Sequence, residues 1–268
     1  MRKFLKIGLV ALSLVALPMT SFAQWMRPNN FTQAKGATRI AEIKRFQAQN
    51  NLPVTGGLNS QTQDMLTNKN LAVYDLIKNP PSKGIWIAIN KSRHTLTLYQ
   101  GTRSIGKYPV CLGDPGTPTP SGKARIQNKH VNPAWGGMGG KYTPVPANSP
   151  NNPLGERWMG LKIPGKSGYG IHGTIKPHQI GQSVSNGCIR MFNYDVETYV
   201  FPKVPLGAPV YIGTDQELAK MGVRQIVEHV KPGQKPEKKE GKNQAKPVEK
   251  KPVEEKAKEK KLIPMTLY

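Results

Sequence analysis

Residues 84–213 consist of short runs in which every second side chain shares one character, separated by turns rich in Gly, Pro and Asn. In 85–89 isoleucine stands at every second position, and a second run covers 94–99. A repeat of two residues places successive side chains on opposite faces of a β-strand. Helical spacing within this region is confined to 193–200. We therefore predict a mainly antiparallel β domain over 84–213.

The segment before this domain has the spacing of a small helical hairpin. Apolar residues recur at helical intervals within 37–50, and the proline and glycines of 52–58 end that helix. A second short helix follows, with Asn59 or Ser60 as its N-cap and Gln63 as the partner in a capping box. A hairpin of this size is too small to be stable on a core of its own.

The first 23 residues have the pattern of a secretion signal. Basic residues in 1–6 precede an apolar run, 7–17, that is too short to span a bilayer. Ser21 and Ala23 are the small residues that a signal peptidase reads, so cleavage is expected after Ala23. A short membrane anchor is the alternative. We expect 1–23 to be a signal peptide and the protein to be exported to the periplasm or the cell wall.

The chain is strongly basic, with a formal net charge of +23. Such an excess favours nucleic acid, an anionic membrane surface or an acidic polymer as partner, and export argues against nucleic acid. The lysine-, glutamate- and proline-rich end, 231–268, lacks the apolar surface needed to offset its ordering entropy. We predict a disordered tail there that contacts anionic cell-wall polymers.

The chain has two cysteines, Cys111 and Cys188. In an oxidising compartment a pair of cysteines suggests a disulfide. The settings differ, however, because Cys111 lies in an apolar strand-like run, 108–113, whereas Cys188 follows Gly187. We interpret Cys111 as a buried packing residue and Cys188 as a reactive thiol.

The surroundings of Cys188 suggest nucleophilic catalysis. A thiol is a useful nucleophile as its thiolate, and a nearby imidazole such as that of His172 is the usual base. Glycine at 187 lets backbone N–H groups approach a developing oxyanion. Arg190 has the forked donors that hold a carboxylate. These residues indicate an exported cysteine acyl-transfer enzyme.

Several segments of the β domain, in order, resemble the YkuD-type L,D-transpeptidase catalytic domain. They are 87–91 with 96–99, Gly113 with Thr117-Pro118-Thr119-Pro120-Ser121-Gly122, Asn132-Pro133-Ala134-Trp135, Asn152-Pro153-Leu154-Gly155, Tyr169-Gly170-Ile171-His172-Gly173-Thr174, and Ser185-Asn186-Gly187-Cys188-Ile189-Arg190-Met191. The resemblance implies a β-sandwich-like fold and cross-linking of peptidoglycan stem peptides. It implies no metal and no cofactor, and it implies inhibition by β-lactams of the carbapenem class.

The resemblance also assigns the reacting groups. Cys188 would attack a donor tetrapeptide at the carbonyl of its third residue and form a thioacyl-enzyme. His172 would be the general base, oriented by the backbone carbonyl of Gly173. Arg190 would support the site or bind a substrate carboxylate.

The remaining site residues follow from the same resemblance. The N–H groups of Gly187 and Cys188, with Asn186, would form the oxyanion hole. Ser185 would order this loop, and Ser185 and Thr174 would contribute to substrate binding. Many family members have histidine at position 186, so the role of Asn186 is open, because an amide does not titrate near neutral pH.

Part of the N-terminal segment resembles the helical peptidoglycan-binding domain found on many wall enzymes. The match runs over about 37–68 and rests on Phe46-Gln47, on Leu52-Pro53-Val54-Thr55-Gly56 and on Gln61-Thr62 with Leu66. We place this domain at 31–70. A docked structural hairpin is the alternative. In either case we expect 24–70 to be dispensable for acyl transfer, because the reacting residues all lie in the β domain.

Three functions remain open on these residues: an L,D-transpeptidase, an L,D-carboxypeptidase that hydrolyses the same donor bond, and a non-catalytic wall-binding protein. We expect a monomer. His178 lies between the two motifs and is interpreted as a surface residue. His94, His130 and His229 lack further ligands at metal-binding spacing, so a metal site is not expected.

Overall fold

The computed structural model describes residues 35–230. The predicted signal peptide, 1–23, and the predicted tail, 231–268, lie outside the described residues. No helix within 35–230 is long and apolar enough to cross a membrane.

Two helices precede the first strand: α1, Gly36–Gln49, and α2, Ser60–Thr67. The N-cap of α2 is Asn59, whose side chain accepts a hydrogen bond of 2.9 Å from the N–H of Thr62. The predicted capping box with Gln63 is wrong, because the Gln63 amide donates to the carbonyl of Leu58. Asn59 rather than Ser60 is the cap, so position 62 and not 63 occupies the third helical position.

The rest of the described chain is mainly β. The strands are β1 Leu71–Ile77, β2 Ile85–Asn90, β3 Thr95–Gln100, β4 Arg103–Gly113, β5 Gly122–Val131, β6 Arg157–Lys162, β7 Gly170–His172, β8 Ser183–Ser185, β9 Ile189–Met191, β10 Pro209–Gly213 and β11 Val223–His229. The short helices are α3 Gly137–Gly140, a 3-10 turn Pro177–Gln179, α4 Asn193–Asp195 continued by a π-helix Val196–Val200, and α5 Asp215–Lys220.

Nine strands form one sheet in the order β3-β2-β10-β5-β6-β7-β9-β4-β8, and β3 also pairs with β4. The pairing of β3 with β4 closes the strand order into a ring. The long strand β4 makes this possible, since its first part pairs with β3 and a later part pairs with β9. The ring of pairings encloses the main apolar core. The predicted mainly β fold is confirmed, with three parallel pairs, β2–β10, β4–β8 and β7–β9, among antiparallel ones.

Strand β2 is buried on both faces. Ile87 and Ile89 belong to the main core, whereas Trp86 and Ala88 belong to a second apolar cluster. Trp86 stacks on Tyr99 with ring centroids 4.3 Å apart. The alternation seen in the sequence therefore separates two cores rather than a core and a solvent face.

Strands β1 and β11 form a separate antiparallel pair outside the predicted 84–213 domain. One end of this pair shares an apolar cluster with the helices, in which Ile43, Phe46 and Met65 are buried against Leu71 and Val227. The other end packs in the second cluster beside Trp86. The helical hairpin thus obtains from this pair the core that it lacks alone.

The helices also contact the nine-stranded sheet directly. α1 packs on β4, and Arg45 forms an ion pair with the buried Asp195 at 3.0 Å. The N–H of Val54 donates to the carbonyl of Arg93 at 3.1 Å. Residues 35–230 belong to one compact unit.

Candidate active site

Strands β7 and β9 bring His172 and Arg190 side by side. The two strands are parallel neighbours in which Ile171 pairs with Ile189 and His172 pairs with Arg190. Both isoleucines are fully buried in the main core. Side chains alternate along a strand, so His172 and Arg190 point away from that core. Cys188 precedes β9 directly and is two residues from Arg190, which puts it on the same side.

His172 is buried, with only 3% of its surface exposed. Its Nδ1 lies 2.7 Å from the carbonyl oxygen of Gly173, an acceptor that requires a proton on Nδ1. The pKa of His172 is lowered to about 4, mainly by burial and also by the charge of Arg190, and this value already includes the opposite effect of the Gly173 and Leu154 carbonyls. At neutral pH the ring is therefore uncharged, and with the proton on Nδ1 the lone pair lies on Nε2.

Trp158 of β6 fixes the plane of the imidazole. It pairs with His172 across β6 and β7 and stacks on the ring at 5.7 Å between centroids. The indole N–H in turn donates to Asn128 at 2.9 Å. The sequence patterns did not identify Trp158 as a site residue. It belongs to the site only because it lies opposite His172 on a neighbouring strand, and that pairing is not visible in the sequence.

Cys188 is half-buried and is not in a disulfide. Burial raises the pKa of its thiol, while the N–H of Gly170 and the charge of Arg190 lower it. Its Sγ lies 3.5 Å from the carbonyl of Gly168. Among the described residues the thiol makes no hydrogen bond to His172.

Ser185 organises the turn that carries Cys188, as expected. Its hydroxyl donates to the carbonyl of Cys188 at 2.6 Å and accepts from the N–H of Gly187 at 3.1 Å. The N–H of Gly187 is therefore engaged in this conformation. Of the two predicted oxyanion donors, the N–H of Cys188 is the one without a partner in 35–230. The oxyanion role stays a prediction and falls first on Cys188.

Gly187 has a backbone conformation that other residues avoid. Its φ is +104°, and a Cβ atom there would lie 2.6 Å from the ring of Tyr169. Its carbonyl accepts a hydrogen bond of 2.9 Å from the buried hydroxyl of Thr119, and the Thr117 hydroxyl donates to the carbonyl of Ser185 at 3.1 Å. The threonine-proline loop seen in the sequence thus supports the turn that carries Cys188.

Arg190 and Thr174 line one small recess of about 80 Å³, together with Pro153, Ile175 and Lys176. The guanidinium of Arg190 donates to the side chain of Gln179 at 2.8 Å. Thr174 is buried, and its hydroxyl accepts from the N–H of Lys176. The two cationic side chains, Arg190 and Lys176, make this recess suitable for a carboxylate.

Asn193 holds the strand end that carries His172. Its Oδ1 accepts a hydrogen bond of 2.6 Å from the N–H of Thr174, and it approaches Gly173 so closely that a Cβ there would lie 2.3 Å away. The sequence predicted a helix over 193–200 opened by Asn193 or Asp195. The helix begins at Asn193, but Phe192 is its N-cap, and the Asn193 side chain bonds to Thr174 instead.

Asn186 is exposed and contacts the glycine-rich loop 136–140. Its amide lies 3.6 Å from the sulfur of Met138, and this methionine and Gly139 both have positive φ. This contact places the loop beside the turn that carries Cys188. An amide–thioether contact supplies no titrating group, so the role of position 186 remains open.

Cys111 is fully buried in β4, where it packs with Ile180 and Phe192, and burial raises the pKa of its thiol. It is free, so the predicted packing role is confirmed.

His178 is exposed, as expected. Within 35–230 no group of three His, Cys, Asp or Glu side chains is arranged to hold a metal.

Comparison with known proteins gives the family. The family model for the L,D-transpeptidase catalytic domain, YkuD, matches residues 84–212. The putative L,D-transpeptidase YqjB of Bacillus subtilis is 34% identical over 145 residues, covering 53% of this chain and 79% of that protein. The putative L,D-transpeptidase YkuD of Bacillus licheniformis is 39% identical over 120 residues, covering 45% of this chain and 61% of that protein.

Among solved structures, the catalytic domain of the Enterococcus faecium L,D-transpeptidase has a TM-score of 0.40 and 22% identity, over 50% of this chain and 99% of that one. The sequence matches carry the assignment, because they include a relative above 30% identity most of whose length this chain covers. The chain therefore belongs to the YkuD family of L,D-transpeptidases.

Proposed function

We propose that this chain is an exported cysteine L,D-transpeptidase that cross-links peptidoglycan stem peptides through a thioacyl-enzyme. The observation that carries the proposal is the state of His172. Its imidazole is buried and uncharged, and its Nδ1 proton is held by the carbonyl of Gly173. It lies beside Arg190 on the neighbouring strand β9, which Cys188 directly precedes. That arrangement supplies a base with the correct tautomer next to a nucleophile.

In the acylation step the Cys188 sulfur attacks the carbonyl carbon of the third residue of a donor stem peptide. A C–S bond forms while the thiol proton passes to Nε2 of His172. Because burial raises the pKa of the thiol and lowers that of the imidazole, the resting pair is neutral and the proton moves as the bond forms. The N–H of Cys188 then stabilises the oxyanion.

Collapse of the tetrahedral intermediate breaks the C–N bond to the terminal D-alanine. The imidazolium of His172 returns its proton to the leaving amine, and a thioester remains on Cys188. The side-chain amine of a diamino acid on an acceptor peptide attacks this thioester and passes its proton to His172. The C–S bond then breaks as the imidazolium returns that proton to the sulfur. The products are a cross-linked peptide and the free thiol, so no redox step or cofactor is required.

The recess lined by Arg190 and Lys176 is proposed to bind a carboxylate of the stem peptide. A guanidinium holds such a group with two parallel hydrogen bonds. The Gln179 side chain keeps one edge of the Arg190 guanidinium occupied and so fixes its direction. This assigns Arg190 a role in binding as well as in lowering the pKa of the thiol.

Hydrolysis of the thioester by water is the second candidate function. The observation that favours it is that Cys188 is half-buried rather than fully closed, so that water can reach the thioester. The balance between the two outcomes depends on occupancy by an acceptor amine. We propose transfer as the main activity.

Location and attachment belong to the same proposal. The signal pattern of 1–23 supports export, and the lysine-rich 231–268 segment supports attraction to anionic wall polymers. We propose a monomer, acylated at Cys188 by carbapenems.

The test is incubation of purified sacculi with the wild-type protein and with Cys188→Ala, followed by mass analysis of the released muropeptides. Cross-linked dimers that require Cys188 support transfer, and shortened peptides that require Cys188 support the carboxypeptidase. Unchanged muropeptides with the wild-type protein contradict both enzymatic functions.

A further inference from the structure

The helix α1 lies against the strand that adjoins the active-site arginine. Cys111 of β4 is the register partner of Arg190 on β9. The side chain of Cys111 forms an apolar cluster with Ile180 and Phe192, and Ala41 of α1 packs against this cluster. The helix α1 therefore packs on a cluster that includes Cys111, the neighbour of Arg190 in the row that also contains His172.

The segment 177–182 is held between α1 and β4. On the β4 side, the N–H of Gly181 donates to Val110 and the N–H of Leu112 donates to Gln182, both at 2.9 Å. On the other side lies Val54. A Cβ atom at Gly181 would be only 2.7 Å from the carbonyl oxygen of Val54. This segment can therefore be displaced only if the N-terminal segment moves too.

Lys44 of α1 fixes the first turn of this segment. Its side chain is almost completely buried, and its ammonium donates to the carbonyl of His178 at 3.2 Å. The aliphatic part of the Lys44 side chain lies against Gly56, since a Cβ atom at Gly56 would be 2.8 Å from Cε of Lys44. No ion pair of Lys44 with a carboxylate is found in 35–230. A buried ammonium is costly without such a partner, so this contact is specific rather than incidental.

The next residue, Gln179, reaches the active site. Its Oε1 accepts the 2.8 Å hydrogen bond from Arg190. We propose that Lys44 is a positioning residue, which holds the His178 carbonyl so that Gln179 directs the Arg190 guanidinium toward Cys188 and the substrate recess. The significance of this link for catalysis rests on the proposed function.

This inference changes the expected role of the N-terminal segment. From the sequence, 24–70 was expected to be dispensable for acyl transfer. The contacts of Lys44, Ala41 and Val54 make α1 and the following turn a support of the active site instead. Whether the same segment also binds peptidoglycan is a separate prediction.

The test measures the charge that Cys188 experiences and needs no peptidoglycan. Cys188 is alkylated with iodoacetate, an anion, and with iodoacetamide, which is neutral, and the modified cysteine is identified by peptide mass mapping. The ratio of the two rate constants reports the guanidinium near the thiol. The variants are Lys44→Met, Lys44→Arg and Gln179→Leu, with Arg190→Met as reference and the exposed Lys69→Met as matched control.

We expect Lys44→Met to lower the iodoacetate-to-iodoacetamide ratio about threefold to tenfold, toward the Arg190→Met value, because a fixed charge close to the thiol is displaced. Lys44→Arg should restore most of the ratio, since a guanidinium can also donate to His178. Gln179→Leu should give the same loss, and combining it with Lys44→Met should add little.

A Lys44→Met protein with the wild-type ratio overturns the inference, and so does a loss that Gln179→Leu does not reproduce. If Lys44→Met does not fold, Gln179→Leu provides the test, because Gln179 is partly exposed. A wild-type ratio in Gln179→Leu would show that Gln179 does not position Arg190, and the inference would then be wrong. Failure of the proposed function would leave this ratio unchanged and would show only as absent muropeptide products.

Discussion

The buried neutral imidazole of His172 should make the folding stability depend on pH between about 4 and 6.5. The ordinary pKa of histidine is near the upper limit of that window, and burial lowers the pKa of His172 in the folded protein to about 4. Between these values the unfolded chain binds a proton that the folded protein excludes. Stability is therefore complete above pH 6.5 and is lost as the pH falls toward 4.

The size of the effect follows from the two pKa values. Each unit of difference corresponds to about 1.4 kcal/mol of unfolding free energy. Integration of proton binding gives a loss of about 2 kcal/mol at pH 5 and about 3 kcal/mol at pH 4, relative to pH 7.5. The charge of the adjacent Arg190 also opposes protonation of the ring, in the same direction as burial.

Urea unfolding of the wild type and of His172→Gln at pH 7.5, 5 and 4 measures this contribution. Glutamine does not titrate, so the variant should lose about 2 kcal/mol less than the wild type on going from pH 7.5 to pH 5. The difference between the two proteins cancels the titration of other groups. His178→Gln, at an exposed position, should behave as the wild type. Parallel pH dependence of wild type and His172→Gln would show that the imidazole is not held neutral by burial.

Three further outcomes are expected. Cys188→Ala should abolish the covalent carbapenem adduct seen by intact mass, while Cys111→Ala retains it, and an adduct on Cys188→Ala would contradict the assignment of the nucleophile. His172→Ala should slow single-turnover acylation at least ~100-fold and His178→Ala less than ~3-fold, and the reverse order would identify a different base. Gly187→Ala should destabilise by about 1–3 kcal/mol because of its φ and the contact with Tyr169. Gly207→Ala, which also has positive φ but no atom near the new methyl group, is the control, and equal melting temperatures of the two variants would contradict the steric argument.

The sequence predicted the mainly β domain, and it pointed to Cys188 and His172 as site candidates, because these signals are local. Alternation in β2 and β3 needs only neighbouring residues, and the glycine beside Cys188 distinguishes it from Cys111. The same is true of the Gly173 carbonyl, which follows His172 directly in the chain. Features that depend on residues close together in the chain can therefore be predicted from the sequence.

What the sequence did not reveal depends on distant pairing. Strand β1 is partly buried at every position and β11 loses its alternation after Gln225, so neither shows a clear pattern over its full length, and the two strands pair with each other. Lys44 and His178 are separated by 134 positions. Trp158, Asn193 and Gln179 contact site residues only after the sheet has formed. No pattern along the chain marks such contacts.

The register of the sheet connects stability with chemistry in this fold. Trp158, His172, Arg190 and Cys111 form one row across β6, β7, β9 and β4. The adjacent row contains Ile171 and Ile189, which are fully buried. A shift of one residue in β7 would exchange His172 with Ile171 and bury the imidazole in the main core. The apolar side chains that stabilise the sheet therefore also determine which face carries His172 and Arg190. The contacts from Lys44, Gln179 and Asn193 act on side chains whose direction that register has already set.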